Sequence, residues 1–169
     1  MSSGTESITG IVLAGGLARR MGGSDKGLVP LCGRTMIDHV LDTLAIQTGA
    51  VLINANRNLD AYRGMGHRVV RDRDDSWSGP LAGMSSGLHA AAAGLCLTVP
   101  CDSPLIGSDL APRLLKALQN ADADIAVAHD GERAHPVVNL MKTSLAESID
   151  AFLGEGERKI DRWFERHHW

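Results

Sequence analysis

The chain is short of aromatic residues, of cysteine and of excess positive charge, and each shortage removes a class of protein. Only three Trp, two Phe and one Tyr occur in 169 residues. A core must therefore be built mainly from Leu, Val, Ile and Ala. Three cysteines, Cys32, Cys96 and Cys101, make no even disulfide framework and fit a reducing cytosol. Cys96 and Cys101 stand across a strand end and read as buried strand thiols rather than a metal pair. The formal net charge is -3 and the pI about 6.1, so no global basic field points to nucleic acid. No apolar run approaches the ~20 residues that cross a bilayer. The first seven residues, MSSGTES, lack the charged and apolar regions of a secretory signal. They read as a disordered tail ahead of a single domain over residues 8–169. A cytoplasmic protein without nucleic-acid or membrane partners is expected.

Two common phosphate-binding motifs are missing as well. No register gives Gly, four residues and Gly-Lys-Ser/Thr, and G-x-G-x-x-G is absent. What the chain does hold is Ile8 to Leu28, ITGIVLAGGLARRMGGSDKGL. Ile8, Ile11, Val12 and Leu13 form a buried strand. A loop follows with Gly15, Gly16, Gly22, Gly23 and Gly27 around Arg19, Arg20 and Lys26. Glycines let backbone N–H groups approach a ligand closely, and three cations suit a polyanion. Asp25 is the one acid inside the loop. An ordinary Gly-rich surface loop remains the alternative on composition.

Strands and helices then alternate. Leu28 to Leu31 is a short extended piece before the Cys32-Gly33 turn, and Thr35-x-x-Asp38 fits a capping box. Ile37, Val40, Leu41 and Leu44 recur at helical spacing, with Asp38, His39, Asp42 and Gln47 facing elsewhere. AVLINA, Ala50 to Ala55, has the continuous apolar character of a parallel strand. The spacing predicts a short helix over Asn58 to Gly64 and a strand over His67 to Arg71. It predicts a Pro80-initiated helix to about Ala93 and a strand over Leu95 to Val99. A helix opened by Pro112 carries Leu114, Leu115 and Leu118. Further strands are expected over Ile125 to Ala128 and Val137 to Met141, and a last helix over Ser144 to Phe152. The expected fold is α/β: a single three-layer, Rossmann-like domain, with a mostly parallel sheet and helices on both faces.

Ligands of such sheets sit at the carboxyl ends of the strands. Gly15, Asn54, Asn56, Asp72 and Asp102 fall at those ends. Asp102 lies in V-P-C-D-S-P, where two prolines restrict the turn and hold the carboxylate. A fixed carboxylate suits Mg²⁺, which takes one or two protein oxygens beside substrate phosphates, and equally suits a turn or helix cap. Asn54 and Asp72 offer donors and acceptors for a base or ribose. Their bland readings are a strand-end turn residue and a solvated charge cluster with Arg71, Arg73, Asp74 and Asp75.

The string L-A-G-G-x-x-x-R-M-G-x-x-x-K, Leu13 to Lys26, resembles the signature loop of nucleotidyltransferases that activate small phosphorylated molecules. Its Met21-Gly22-x-x-Asp25-Lys26-x-Leu28 form is most similar to the molybdenum cofactor guanylyltransferase family. Ser78-Gly79-Pro80-Leu81-Ala82-Gly83, the Asp130 to Pro136 turn and Gly156-Glu157-Arg158-Lys159 resemble later elements of that family, in order, from about Ile8 to about Lys159. The resemblance implies transfer of GMP from GTP to the phosphate of molybdenum-molybdopterin. It implies Mg²⁺ on Asp102, with Arg19, Lys26 and Asp102 as catalytic residues. Leu13, Ala14, Gly15, Gly16, Lys26, Asn54, Asp72, Gly79 and Asp102 are implied for GTP, and Arg158 and Lys159 for the pterin phosphate. A carboxylate such as Asp72 could read the N1–H and 2-amino edge of guanine. His135 is read as a turn residue or as an acid or base. Family members usually continue into an Asn-x-Asn-Thr-Pro segment, which this chain lacks before Trp169. The acceptor side is therefore expected to be less complete than the nucleotide side, with Trp163, Phe164 and Trp169 exposed as an uncovered edge or a surface for molybdoenzymes or other cofactor-biosynthesis proteins. A cytidylyltransferase acting on the same pterin, a sugar-phosphate nucleotidyltransferase and a non-catalytic nucleotide-binding module are the competing readings.

Overall fold

Ile8–Leu13 forms β1, and its neighbours on both sides are parallel strands: β4 (Ala50–Asn54) and β6 (Leu95–Pro100). The computed structural model describes residues 8–16, 25–76 and 79–169. Expectations for the tail over 1–7, for Arg19, Arg20, Met21, Gly22 and Gly23, and for Ser78 lie outside the described residues. A strand paired on both edges and covered on both faces has no polar side to show water, and the apolar run of β1 follows from that. β5 (Arg68–Val70) extends the parallel set beyond β4. On the other side β8 (Ala134–Lys142) runs antiparallel to β6, and β7 (Ile125–His129) forms the far edge. The six strands stand in the order β5-β4-β1-β6-β8-β7. β2 (Pro30–Leu31) and β3 (Arg34–Thr35) make a separate small hairpin.

Helices cover both faces, as expected. One face carries α1 (Met36–Ala45), α2 (Leu59–Arg63) and α4 (Leu110–Ala121). Ile37, Val40, Leu41, Leu44, Tyr62, Leu114 and Leu118 pack there on Ile8, Val12, Ile53 and Val99. Burying the four apolar side chains of α1 contributes on the order of 6–12 kcal/mol before chain entropy is subtracted. The capping box forms: Asp38 accepts from the Thr35 N–H at 2.9 Å and the Thr35 hydroxyl at 2.6 Å. The other face carries α3 (Pro80–Ala90), α5 (Ala146–Gly154) and α6 (Ile160–Phe164), packed on Ile11, Cys96, Ile125 and Met141. Helix α3 lies close against β1 because a Cβ at Gly87 would come within 2.9 Å of Ile11 Cγ2.

Three expectations need correction. Gln47 is buried, not on an outer face: its amide accepts from Ala111 N–H at 2.9 Å and donates to Gly107 O at 3.2 Å, tying α1 to the start of α4. The last predicted strand begins three residues earlier, at Ala134. Pro136 is accommodated because the β7–β8 ladder shifts register between Val127 and Ala128, where a missing N–H is tolerated. Trp163 and Phe164 are buried, whereas Trp169 is 55% exposed. Helix α6, absent from the predicted elements, carries both rings into the α3–α5 face. The Trp163 indole donates to Ser148 Oγ at 3.2 Å, and His168 O accepts the Asp124 N–H at 2.7 Å. The aromatics are few, but among the described residues Tyr62, Phe152, Trp163 and Phe164 are the bulkiest fully buried side chains.

Candidate functional site

Leu13, Asn54, Val70 and Pro100 lie side by side across β1, β4, β5 and β6. Counting two residues on from that row reaches Gly15, Asn56, Asp72 and Asp102. Parallel strands in register thus deliver one glycine, one amide and two carboxylates to the same rim. Backbone bonds stitch the rim together. Ala14 N–H donates to Asn54 O at 2.8 Å, and Cys101 N–H to Leu13 O at 3.1 Å. Leu13 and Ala14 thereby shape the rim.

Lys26 and Asp102 meet across this rim. Lys26 Nζ lies 3.0 Å from Asp102 Oδ2, with the two side chains 47% and 36% exposed. They are 76 positions apart in sequence and were singled out separately, as phosphate cation and metal carboxylate. Asp102 is a hard oxygen donor on a solvent-facing turn, the kind of ligand Mg²⁺ takes singly when phosphates supply the rest. Among the described residues no group of three or more His, Cys, Asp or Glu could hold a metal by itself. The neighbouring Cys101 is buried, and burial, with a smaller push from the Asp102 charge, raises its thiol to about 12. A thiol so raised stays protonated and is a poor metal ligand.

Asn54 and Asp72 are also brought together, with Asn56 as the third member. Asn54 Nδ2 donates to Asp72 Oδ1 at 2.8 Å and to Val70 O at 3.3 Å. Asn56 Nδ2 donates to Asp72 Oδ2 at 2.8 Å, and Asn56 Oδ1 accepts the Asp72 N–H at 2.9 Å. Both carboxylate oxygens are thus fixed in direction. Asn54 itself is only 2% exposed. Its Oδ1 sits between Gly15 and Gly83, where a Cβ at Gly15 would stand 3.0 Å away. Asn54 therefore reaches a ligand through Asp72 and the walls it holds apart, while Asp72 keeps a partly exposed face.

The remaining candidates lie around this centre. Gly79 precedes α3 at φ +86° and is exposed. Arg158 donates to Leu153 O at 2.8 Å and Glu157 O at 2.6 Å, and Lys159 is exposed at the start of α6. Hydrogen bonds from the Ser76 hydroxyl and N–H hold Asp74 below the usual carboxylate range, and the Arg158 charge adds to them. His135 meets Asp130 Oδ2 at 2.7 Å. The N–H groups of Arg133 and Glu132, then the His135 ring, hold Asp130 well below its ordinary value. This pair closes the β7–β8 turn and has no contact to Lys26 or Asp102 among its hydrogen bonds.

Two acids that sequence reasoning left without a role are well defined. Asp150 on α5 accepts from Ser85 Oγ, from Arg73 at 2.6 Å and from His89 at 2.8 Å, clamping α3 and the Asp72 segment to α5. Asp25, beside Lys26, is buried under Tyr62 and Asn58. Their side-chain hydrogen-bond partners come from 33 to 77 positions away, which no local spacing reveals.

Comparison with known proteins gives the family. Residues 10–168 match the MobA-like NTP transferase domain. A molybdenum cofactor guanylyltransferase of Shewanella pealeana is 50% identical over 162 residues, covering 96% of this chain and 81% of that protein. One from Shewanella frigidimarina is 52% identical over 160 residues, covering 95% and 82%. The crystal structure of molybdopterin-guanine dinucleotide biosynthesis protein A from Archaeoglobus fulgidus shares the fold, with a TM-score of 0.76 at 24% identity over 95% of this chain and 80% of that one. By its sequence over nearly its whole length, the chain belongs to the MobA-like NTP transferase family.

Proposed function

We propose that this chain is a molybdenum cofactor guanylyltransferase that transfers GMP from GTP to the phosphate of molybdenum-molybdopterin, releasing pyrophosphate. The observation that carries the reading is the 3.0 Å approach of Lys26 to Asp102 at the carboxyl ends of the central strands. An exposed ion pair of this kind is worth about 0–1 kcal/mol, so a triphosphate and its cation can replace it at little cost. Asp102 is the residue that holds Mg²⁺, with water and phosphate oxygens expected to complete its shell. Bound there, Mg²⁺ supplies positive charge to the phosphates. Lys26, with Arg19 from the glycine loop, holds the triphosphate and stabilises the charge that builds on departing pyrophosphate. The N–H groups of Gly15 and Gly16 add donors along the same path. Asp72, aimed by Asn54 and Asn56, accepts from the guanine N1–H and 2-amino group or from the ribose. Gly79, ahead of α3, adds to the nucleotide contacts in this reading, and Arg158 and Lys159 attract the pterin phosphate.

In the transfer, a phosphate oxygen of molybdopterin bonds to the α-phosphorus of GTP while the bond to the β-phosphate oxygen breaks. The attacking phosphate is already anionic and needs no strong base. Positioning and charge stabilisation carry the rate. His135, tied to Asp130, has no required part in it.

The test is a thermal-shift panel of GTP, CTP, ATP and UTP with and without Mg²⁺. A ligand at 100 times its Kd adds about 2.7 kcal/mol of stability. The expected result is a Mg²⁺-dependent shift largest with GTP, whose metal dependence disappears in Asp102→Ala. No shift with any nucleotide, or a preference for CTP, would refute the reading.

A further inference from the structure

We infer that Asp25 is a positioning residue for Lys26, held in that role by a clasp formed from Asn58 and Tyr62. The inference rests on the proposed part of Lys26 in nucleotide transfer.

The Asp25 side chain is only 5% exposed, and donors from two separate segments converge on it. Its Oδ1 accepts the Tyr62 hydroxyl at 2.6 Å and the Gly27 N–H at 3.2 Å. Its Oδ2 accepts Asn58 Nδ2 at 2.9 Å and lies 3.8 Å from Arg57 Nε. A carboxylate this deep is costly unless hydrogen bonds satisfy it, and here they do. Burial and the Asp25 hydrogen bond push the Tyr62 phenol well above its ordinary value, so its hydroxyl stays a donor.

What Asp25 holds is the turn that carries Lys26. Its bond to the Gly27 N–H caps the one-turn 3₁₀ helix Lys26–Leu28. That turn is also closely packed. A Cβ at Gly27 would stand 2.7 Å from the Tyr62 hydroxyl and 3.4 Å from Cys101 Sγ. Cys101 precedes Asp102, so the residue after Lys26 packs at once on the clasp and beside the turn that carries the carboxylate its ammonium meets. A lysine tip that is 47% exposed cannot be held by its own burial, so its placement depends on its base. Lysine carries about 2 kcal/mol of rotamer entropy, and fixing its backbone lowers what ordering it on a phosphate costs. The same strap reaches the other acid: Asn56 anchors Asp72 two residues before Asn58 anchors Asp25. Asn58 adopts φ 50°, a left-handed conformation that Asn tolerates better than most residues.

A double-mutant cycle on the full chain tests this. Affinity for Mg-GTP is measured by calorimetry, and melting temperature independently, for wild type, Asp25→Asn, Tyr62→Phe, Lys26→Ala and each combination with Lys26→Ala. Tyr62→Phe removes one hydroxyl and keeps the packed ring, so it serves if Asp25→Asn does not fold. The expected result is roughly tenfold weaker binding for either clasp variant while it remains folded, and no further loss once Lys26 is already Ala. Binding equal to wild type would overturn the inference. So would a clasp loss that persists in full on the Lys26→Ala background, since it would then not pass through the lysine. A wild-type chain that does not bind Mg-GTP would instead refute the proposed function, whatever the variants do.

Discussion

Adding one carbon to Gly83 should damage the protein, whereas the same carbon on Gly154 should help it. Both residues are helical, in α3 and α5 respectively. A Cβ at Gly83 overlaps Asn54 Oδ1 and comes within 2.9 Å of Asn54 Cγ and Leu13 Cδ2. Asn54 cannot turn away freely, because its amide is bonded to Asp72 and Val70 and is buried. Overpacking costs about 1–3 kcal/mol. Losing a hydrogen bond to a charged group costs about 1.5–3 kcal/mol. Replacing a helical glycine by alanine returns about 1 kcal/mol. The balance for Gly83→Ala is a loss of about 1.5–5 kcal/mol. At Gly154 a Cβ meets nothing within 4 Å, so only the helix term applies. Gly154→Ala should gain about 0.5–1 kcal/mol. In a domain of this size each kcal/mol moves the melting temperature by about 2–4 °C. Scanning calorimetry should therefore place Gly83→Ala roughly 3–20 °C below wild type and Gly154→Ala about 1–4 °C above. Gly83→Ala should also weaken Mg-GTP binding, since Asp72 loses one of the two amides that aim it. A Gly83→Ala protein as stable as wild type would show that Asn54 is not wedged, and the account of the rim would fail.

Other outcomes follow from the same contacts. Burial raises the Asp150 carboxyl, but hydrogen bonds from Ser85 and His89 and the Arg73 charge outweigh it and leave the net value lowered. Its stabilising effect is thus complete above the unfolded value of about 3.9 and is lost as pH falls through the folded one. The stability gap between wild type and Asp150→Asn in urea titrations should be full at pH 7 and shrink steadily as pH falls below about 3.9; a gap that does not shrink would contradict the sign. Trp163→Ala should cost about 3–5 kcal/mol in denaturant unfolding, the usual cost of emptying a buried aromatic site. Loss under about 1 kcal/mol would mean that α6 is dispensable. A thiol titration should count one reactive cysteine in the folded protein, the exposed Cys32, and all three after denaturation, because burial pushes Cys96 and Cys101 up to about 12. Rapid labelling of a second thiol in the folded state would contradict that burial.

What could be read from sequence was whatever chain-local physics controls. Continuous apolar runs marked β1, β4 and β6 because these strands are covered on both faces, and the four-apolar stripe of α1 marked its helix. The strand-end position of Asp72 and Asp102 followed from the parallel arrangement alone. Helix α6 was missed because five residues cannot display a helical repeat, and its two rings were expected in solvent. The direction of β8 and its early start around Pro136 depend on pairing with β6 and a register shift against β7, which are tertiary facts. Asn54 shows the deeper limit. Its residue type fitted a ligand contact, but only the approach of α3 through Gly83 shows that it is enclosed and acts on Asp72.

The acids of this rim divide by how they are held, and the division matches the work proposed for each. Asp72 has both oxygens engaged by neutral amides, and Asp25 by an amide, a hydroxyl and a backbone N–H, with the Arg57 guanidinium 3.8 Å from its Oδ2. Neutral donors fix a carboxylate in direction without cancelling its charge, which suits an acceptor that must meet one edge of a base, or a cap that must hold one turn. Asp102 is different. Its partner is the Lys26 ammonium, a flexible opposite charge in partial solvent. Such a pair neutralises both members while no ligand is present and comes apart for about 1 kcal/mol or less. A metal-bound triphosphate offers each member a stronger partner, a cation for Asp102 and phosphate oxygens for Lys26. A rigid frame around one weak ion pair therefore allows the charges to exchange partners on binding while the backbone stays where the sheet has placed it.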